Sequence, residues 1–123
     1  MKKLKILVID DEPNVCTFLT EFLEFKGYTP QIAYSGPEAL DILTAGNVDL
    51  VLLDIIMPEM NGMEVLERIK LMNPAMPVVI VSGVRDKDMA DNIIKMGASD
   101  YVPKPIDLER LEQSILLSIP RSI

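Results

Sequence analysis

The stretch Leu50-Val51-Leu52-Leu53-Asp54-Ile55-Ile56-Met57-Pro58 constrains this chain more than any other. A continuous apolar run that ends in one carboxylate reads as a strand buried on both faces, delivering an acid to the edge of a sheet. Such a short run would also suit a buried helix, so its flanks decide. Pro58 stops both ladder pairing and any helix, and it biases Met57 toward extended backbone. Asp54 is therefore expected where strand gives way to loop, with the other polar landmarks converging on it.

Strand and helix patterns alternate along the rest of the chain. Residues 4–9 form an apolar strand ending at Asp10-Asp11. Pro13 suits a first helical turn, followed by the stripe Val15, Phe18, Leu19, Phe22 and Leu23, and Gly27 ends that helix. Residues 29–34 read as a weaker second strand. Ser35-Gly36-Pro37-Glu38 is a capping box opening a helix that carries Ala39, Leu40, Ile42 and Leu43 and stops near Gly46. Beyond the Asp54 strand, Asn61 and Glu64 bracket a helix start; Val65, Leu66, Ile69 and Met72 form its stripe, and Asn73-Pro74 closes it. Residues 77–81 make a fourth strand meeting Ser82-Gly83. Asp86 caps a helix with Met89, Ala90, Ile93 and Ile94 that ends at Gly97. Residues 98–102 form a short fifth strand before Pro103-Lys104-Pro105. Asp107 caps a last helix, with Leu108, Leu111, Ile115 and Leu116, broken by Pro120.

Five strands alternating with five helices predict one α/β domain over residues 1–123: a doubly wound (βα)5 parallel sheet covered on both faces. Crossovers in such sheets are right-handed, and sites lie at the carboxyl ends of the strands near the topological switch point. Asp10 and Asp11 follow strand one, Asp54 ends strand three, Ser82 ends strand four and Lys104 follows strand five, so all share one edge. With strand order 2-1-3-4-5, which is assumed, strands one and three are neighbours and their acids meet.

Composition narrows the function. A net charge of −7 argues against a nucleic-acid surface, which needs a basic stripe. The absence of histidine removes Ser-His-Asp and Cys-His catalysis, a phosphohistidine within this chain and most zinc sites. The single Cys16 cannot form an internal disulfide and reads as a core thiol, which fits a reducing compartment. The basic, apolar start at residues 1–9 is too short for a signal peptide and meets Asp10-Asp11-Glu12. No segment approaches transmembrane length, and the expected location is the cytoplasm.

Two carboxylates about 4 Å apart repel by roughly 4 kcal/mol at an effective dielectric of 20. Three in one pocket call for protonation or a cation, and Lys104 supplies one positive charge only. A hard dication with oxygen ligands fits the remainder, and Mg²⁺ suits one or two carboxylates plus a phosphate better than Ca²⁺ does. Taken singly, each residue has a plainer reading: Asp10 and Asp11 start a helix, Asp54 is a loop acid, Ser82 a turn residue and Lys104 a solvated lysine. Their joint placement on one edge favours chemistry. A carboxylate can attack phosphorus to form an acyl phosphate, and an ionised one has no proton to lose, so no histidine base is needed.

The chain closely resembles the receiver domain of two-component response regulators over essentially its whole length. The residues that carry the resemblance are Asp10-Asp11-Glu12-Pro13, Asp54-Ile55-Ile56-Met57-Pro58-Glu59-Met60-Asn61-Gly62, Ser82-Gly83 and Tyr101-Val102-Pro103-Lys104-Pro105. It implies a flavodoxin-like fold in which Asp54 accepts a phosphoryl group from a sensor histidine kinase or phosphotransfer protein. Asp10 and Asp11 would organise Mg²⁺, with Asp11 and Asp54 as direct ligands and Ile56 lending its backbone carbonyl. Ser82 and Lys104 would bind the phosphoryl oxygens, and the Lys104-Pro105 bond would be cis. Ser82 and Tyr101 would act as the switch, and the face of the fourth helix, fifth strand and fifth helix would contact an output protein, a fused effector domain or a second copy. An ordinary half-buried strand aromatic remains an equal reading of Tyr101. No enzymatic activity beyond self-phosphorylation and autodephosphorylation is implied.

Three departures from the commonest pattern stand out. Asn61 replaces a frequent aspartate but still caps a helix. Gly83 follows Ser82 where alanine is common. Ile56 and Val84 are both apolar at the positions flanking the site, so neither can orient an attacking water and slow autodephosphorylation is expected. Rival readings fare less well. A haloacid-dehalogenase-type phosphatase needs a second acid where Ile56 stands, and a flavodoxin-like cofactor binder needs a phosphate loop where three acids lie. A phosphorylation-independent pseudo-receiver docking module is opposed by the complete set of site residues. Ending just after the last helix, the chain reads either as a stand-alone receiver or as a domain of a longer protein.

Overall fold

Period-two alternation inside three apolar runs, residues 6–9, 50–53 and 78–81, decides the architecture, because successive side chains of a strand face opposite sides of a sheet. The structure, a computed structural model, describes residues 3–119 other than positions 59 and 85. Its elements are β1 (Lys5–Ile9), α1 (Pro13–Phe25), β2 (Thr29–Ala33), α2 (Gly36–Ala45), β3 (Leu50–Leu53), α3 (Gly62–Met72), β4 (Val78–Ser82), α4 (Lys87–Lys95), β5 (Asp100–Pro103) and α5 (Leu108–Ser118). The strands form one parallel sheet in the order β2-β1-β3-β4-β5, as assumed from the sequence. Ile6, Val8, Leu50, Leu52, Val79 and Val81 face α1 and α5, with Cys16, Leu19, Leu23, Leu111 and Ile115 packed on them. Leu7, Ile9, Val51, Leu53, Val78 and Ile80 face the other way, against Val65, Leu66, Ile69 and Ile93 of α3 and α4. This is the doubly wound, flavodoxin-like α/β arrangement.

Local chemistry sets the element ends. At the end of α1, Gly27 takes φ +89°. Its N–H donates to the Glu24 carbonyl and that of Tyr28 to the Leu23 carbonyl, a glycine-dependent helix stop. Ser35, Asn61, Asp86 and Asp107 each accept a backbone N–H of the first turn of α2, α3, α4 and α5, as expected of such caps. Pro120, expected to break the last helix, lies outside the described residues, as do Met1 and Lys2 of the basic start.

The expected stripes need correction at their margins. Phe18 of α1 is 44% exposed, and Met72, Ile94 and Leu116 also lie open to solvent. Each sits on the shoulder of its helix, where the sheet covers only part of the circumference. Cys16 is buried as expected, its thiol donating to the Asp10 carbonyl. Burial is the main reason that its pKa is pushed up to about 11, which suits a core thiol.

Gly62 is the tightest point between α3 and the end of β3. A Cβ there would overlap Ile55 Cα and lie 2.5 Å from the Asp54 carbonyl oxygen, both backbone atoms. Gly62→Ala is expected to lower the unfolding free energy by about 1–3 kcal/mol in urea denaturation. Gly83→Ala is the contrast: its added methyl would meet nothing within 4 Å, and a change below about 0.5 kcal/mol is expected.

Candidate functional site

The sheet's hydrogen-bond ladder runs on past the strand ends and grips the polar residues that follow. The Asp10 N–H donates to the Ala33 carbonyl, that of Asp54 to the Ile9 carbonyl and that of Lys104 to the Ser82 carbonyl. Asp10, Asp54, Ser82 and Lys104 are thus fixed by backbone bonds at one edge of the sheet. The Lys104-Pro105 bond is cis, matching the expectation.

Lys104 Nζ lies 2.9 Å from Asp10 Oδ2, 3.3 Å from Asp54 Oδ2 and 3.7 Å from Glu12 Oε1. Asp10 is 2% exposed and Asp54 4%. The second oxygen of each is also engaged: Asp10 Oδ1 accepts the Glu12 N–H at 2.9 Å, and Asp54 Oδ1 accepts the Ile56 N–H at 3.1 Å. Burial is the largest influence on Asp10 and, against the Glu12 N–H and Lys104, holds its pKa above the ordinary carboxylate value. For Lys104 burial works the other way, opposing protonation. The hydrogen bond and charge of Asp10, with those of Asp54, prevail and hold the ammonium above the usual lysine value.

Oxygens of Asp10, Glu12 and Asp54 all lie within 4.8 Å of one another. The expected pairing of Asp10 with Asp54 is therefore present, but the third carboxylate in the cluster is Glu12; Asp11, half-buried, is outside it. Glu12 has extended backbone, and in an extended segment residues two apart project to the same side. That periodicity was the available signal for Glu12. Three carboxylates against one ammonium leave an excess of negative charge, and an all-oxygen donor set of this kind fits a hard dication.

Around the pocket, Ser82 is fully buried and its Oγ accepts the Val84 N–H at 3.5 Å. Ile56 is 61% exposed and lines, with Met57, Met63, Val84 and Met89, a cavity of about 360 Å³ beside the site. Tyr101 is half-buried, and its hydroxyl donates to the Val84 carbonyl, reaching across the loop that follows Ser82. Behind it, Arg110 of α5 grips Asp100 of β5 through two bonds of 2.8 and 3.1 Å and donates to the Tyr101 carbonyl. Burial would raise the Asp100 pKa, but the Arg110 hydrogen bond helps to bring it below the ordinary value.

This fold and this pocket define a class. The response regulator receiver domain family matches residues 6–116, and the chain belongs to it. Transcriptional regulatory protein ZraR of Salmonella typhimurium is 41% identical over 113 residues, which are 92% of this chain and 26% of that protein. A response regulator receiver domain protein of Clostridium thermocellum superposes with a TM-score of 0.89 at 37% identity, over 94% of both chains. A CheY-like receiver of Methanospirillum hungatei does so with 0.89 at 29% identity, over 94% of this chain and 93% of that one. The chain is thus a phosphoacceptor signalling module of two-component systems rather than a catalytic enzyme. It spans about a quarter of the length of the curated relatives it matches. Among the described residues, no helix is long and apolar enough to cross a membrane.

The raised pKa of Asp10 has a measurable sign. Its folded state holds the proton more tightly than the unfolded chain does. Its contribution to stability is therefore fully present below the ordinary value of 3.8 and declines as pH rises through the raised folded value. Asp10→Asn keeps an acceptor for the Glu12 N–H while removing the buried charge. In urea denaturation with EDTA it is expected to be more stable than wild type at neutral pH and to lack that decline. Parallel stability–pH curves for the two proteins would contradict this assignment.

Proposed function

We propose that Asp54 accepts a phosphoryl group from a phosphohistidine of a sensor histidine kinase or phosphotransfer protein. The observation that carries this reading is the Asp54 carboxylate, buried at the end of β3, with Lys104 Nζ 3.3 Å from Oδ2 and the Ile56 N–H on Oδ1. A carboxylate oxygen at the strand end attacks phosphorus in line. The P–O bond forms as the P–N bond breaks, and the departing imidazole keeps the electron pair. Lys104 then turns from the carboxylates to a phosphoryl oxygen, and the Ser82 hydroxyl donates to another. Asp10, Asp11 and Asp54, with the Ile56 carbonyl and Glu12 beside them, would hold Mg²⁺, which supplies positive charge to the phosphoryl oxygens when bound.

The switch follows from the same contacts. Drawing Ser82 toward the phosphoryl group gives up its bond with the Val84 N–H, and the loop that Tyr101 spans is released. Tyr101 turns inward, and the surface of α4, β5 and α5 changes shape for an output protein, a fused effector domain or a second copy of the chain. ZraR is named a transcriptional regulatory protein. We infer that this receiver likewise controls an effector without itself binding nucleic acid. The buried free thiol of Cys16 fits a reducing compartment, and the cytoplasm is the location this reading implies.

Treatment with acetyl phosphate is expected to add a phosphoryl group to the wild-type chain in Mg²⁺ but not in EDTA, and to leave Asp54→Asn unmodified. Intact mass or a phosphate-affinity gel reads this out, since the chain has no tryptophan to quench. A chain that stays unmodified would instead be a docking module. Ile56 and Val84 line one cavity beside the site, and neither can position a water. Ile56→Asn and Val84→Glu are expected to shorten the lifetime of the acyl phosphate about tenfold to a hundredfold; unaltered decay would remove the water-positioning argument.

A further inference from the structure

Asn61 is the only one of the five asparagines that precedes glycine; those at 14, 47, 73 and 92 precede valine, valine, proline and isoleucine. Packing imposes this pairing. A Cβ on Gly62 would lie 2.5 Å from the Asp54 carbonyl oxygen and 2.8 Å from that of Ile55, so any side chain there must displace backbone. Glycine is also the neighbour that least hinders attack by its own nitrogen on the preceding side chain, because it has no Cβ and the widest backbone freedom. Asn61 itself is exposed, open to water and base.

The fold holds the reacting groups apart. The Gly62 N–H donates to the Ile55 carbonyl at 2.9 Å, and Asn61 Oδ1 accepts the Met63 N–H at 2.8 Å. Attack by the Gly62 nitrogen on Asn61 Cγ requires both bonds to open, which makes reactivity a measure of local opening between β3 and α3. We propose that Asn61 is a self-modification site, converted to aspartate or isoaspartate by its Gly62 neighbour at a rate set by opening of this loop.

The chemistry balances without oxidant or cofactor. A base takes the Gly62 amide proton, the nitrogen bonds to Asn61 Cγ, and the Cγ–amide bond breaks with release of ammonia, leaving a cyclic imide. Water then opens the ring. Cleavage of the new Cγ–N bond gives aspartate, whereas cleavage of the original main-chain bond gives isoaspartate. One water is consumed and one ammonia leaves.

The two products differ in consequence. Aspartate keeps an acceptor for the Met63 N–H and puts a negative charge at the N-terminus of α3, where it is favoured. Isoaspartate routes the main chain through the side-chain methylene. The extra backbone atom falls where Gly62 already abuts Ile55 and the Asp54 carbonyl, so the segment that carries Asp54 must move. This second effect rests on the reading of Asp54 as phosphoacceptor.

The full chain is incubated in mildly alkaline buffer, folded or in denaturing urea, and mapped by peptide mass with isoaspartate detected enzymatically. The amide-to-acid mass gain is expected in the Asn61 peptide, as both products, and about tenfold or more faster in urea. Asn61→Gln, which must close a larger ring, is expected to abolish it. No conversion in urea, equal rates in the two conditions, or conversion confined to another asparagine would overturn the proposal. The isoaspartate fraction is then compared with fresh protein in acetyl phosphate and Mg²⁺, and loss of the adduct is expected only in that fraction. An undiminished adduct there removes the coupling to Asp54. If fresh protein forms no adduct, the phosphoacceptor reading fails while the modification chemistry stands.

Discussion

One ammonium group between two buried carboxylates holds the working edge of this molecule together. Lys104 reaches Asp10 at 2.9 Å and Asp54 at 3.3 Å, with Glu12 slightly farther away. Where water is largely excluded such contacts are strong, but so are the desolvation and repulsion they must offset. Asp10 shows the residue of that conflict, since burial keeps its pKa high in spite of Lys104. A pocket left with excess negative charge is suited to gain a hard cation and then an anionic group that shares it.

The scaffold makes this tension tolerable. Asp10, Asp54 and Lys104 are each held by a main-chain hydrogen bond to a neighbouring strand, so the acids cannot relax by swinging apart with their backbone. Below them two apolar layers pack against helices on both faces. Above them the connections are looser and chemically varied: the Ser82 hydroxyl meets the Val84 N–H, and Tyr101 bonds the Val84 carbonyl. Arg110 ties the start of β5 to α5 through Asp100 and the Tyr101 carbonyl. The contacts around the pocket that lie outside the sheet ladder are thus concentrated in the loop after β4 and on the face beside it.

Much of this was legible in the chain. The runs at residues 6–9, 50–53 and 78–81 contain no polar side chain, which is meaningful only for strands covered on both faces, and the polar residues that close them, Asp10, Asp54 and Ser82, mark the functional edge. Glu12 was missed because position in sequence favoured the adjacent pair Asp10-Asp11, whereas an extended backbone sends alternate side chains the same way. The exposure of Phe18, Met72, Ile94 and Leu116 was hidden for a related reason. Helical spacing shows that apolar residues share a side, but not how wide a strip of that side the sheet will cover. Gly62 reads as a helix start in sequence; only packing shows that backbone atoms of Asp54 and Ile55 fill the space a side chain would need.

By itself, then, the sequence determined the alternation of elements, their caps and stops, and which polar residues fall at strand ends, because those depend on local periodicity and backbone sterics. Strand order, the choice of Glu12 over Asp11 as the third carboxylate of the cluster, and the reach of Lys104 across to Asp10 and Asp54 were decided by tertiary structure. These are contacts between residues distant along the chain or matters of side-chain direction at a bend. Their energies depend on burial and on distances of a few ångströms, which exist only once the sheet has assembled.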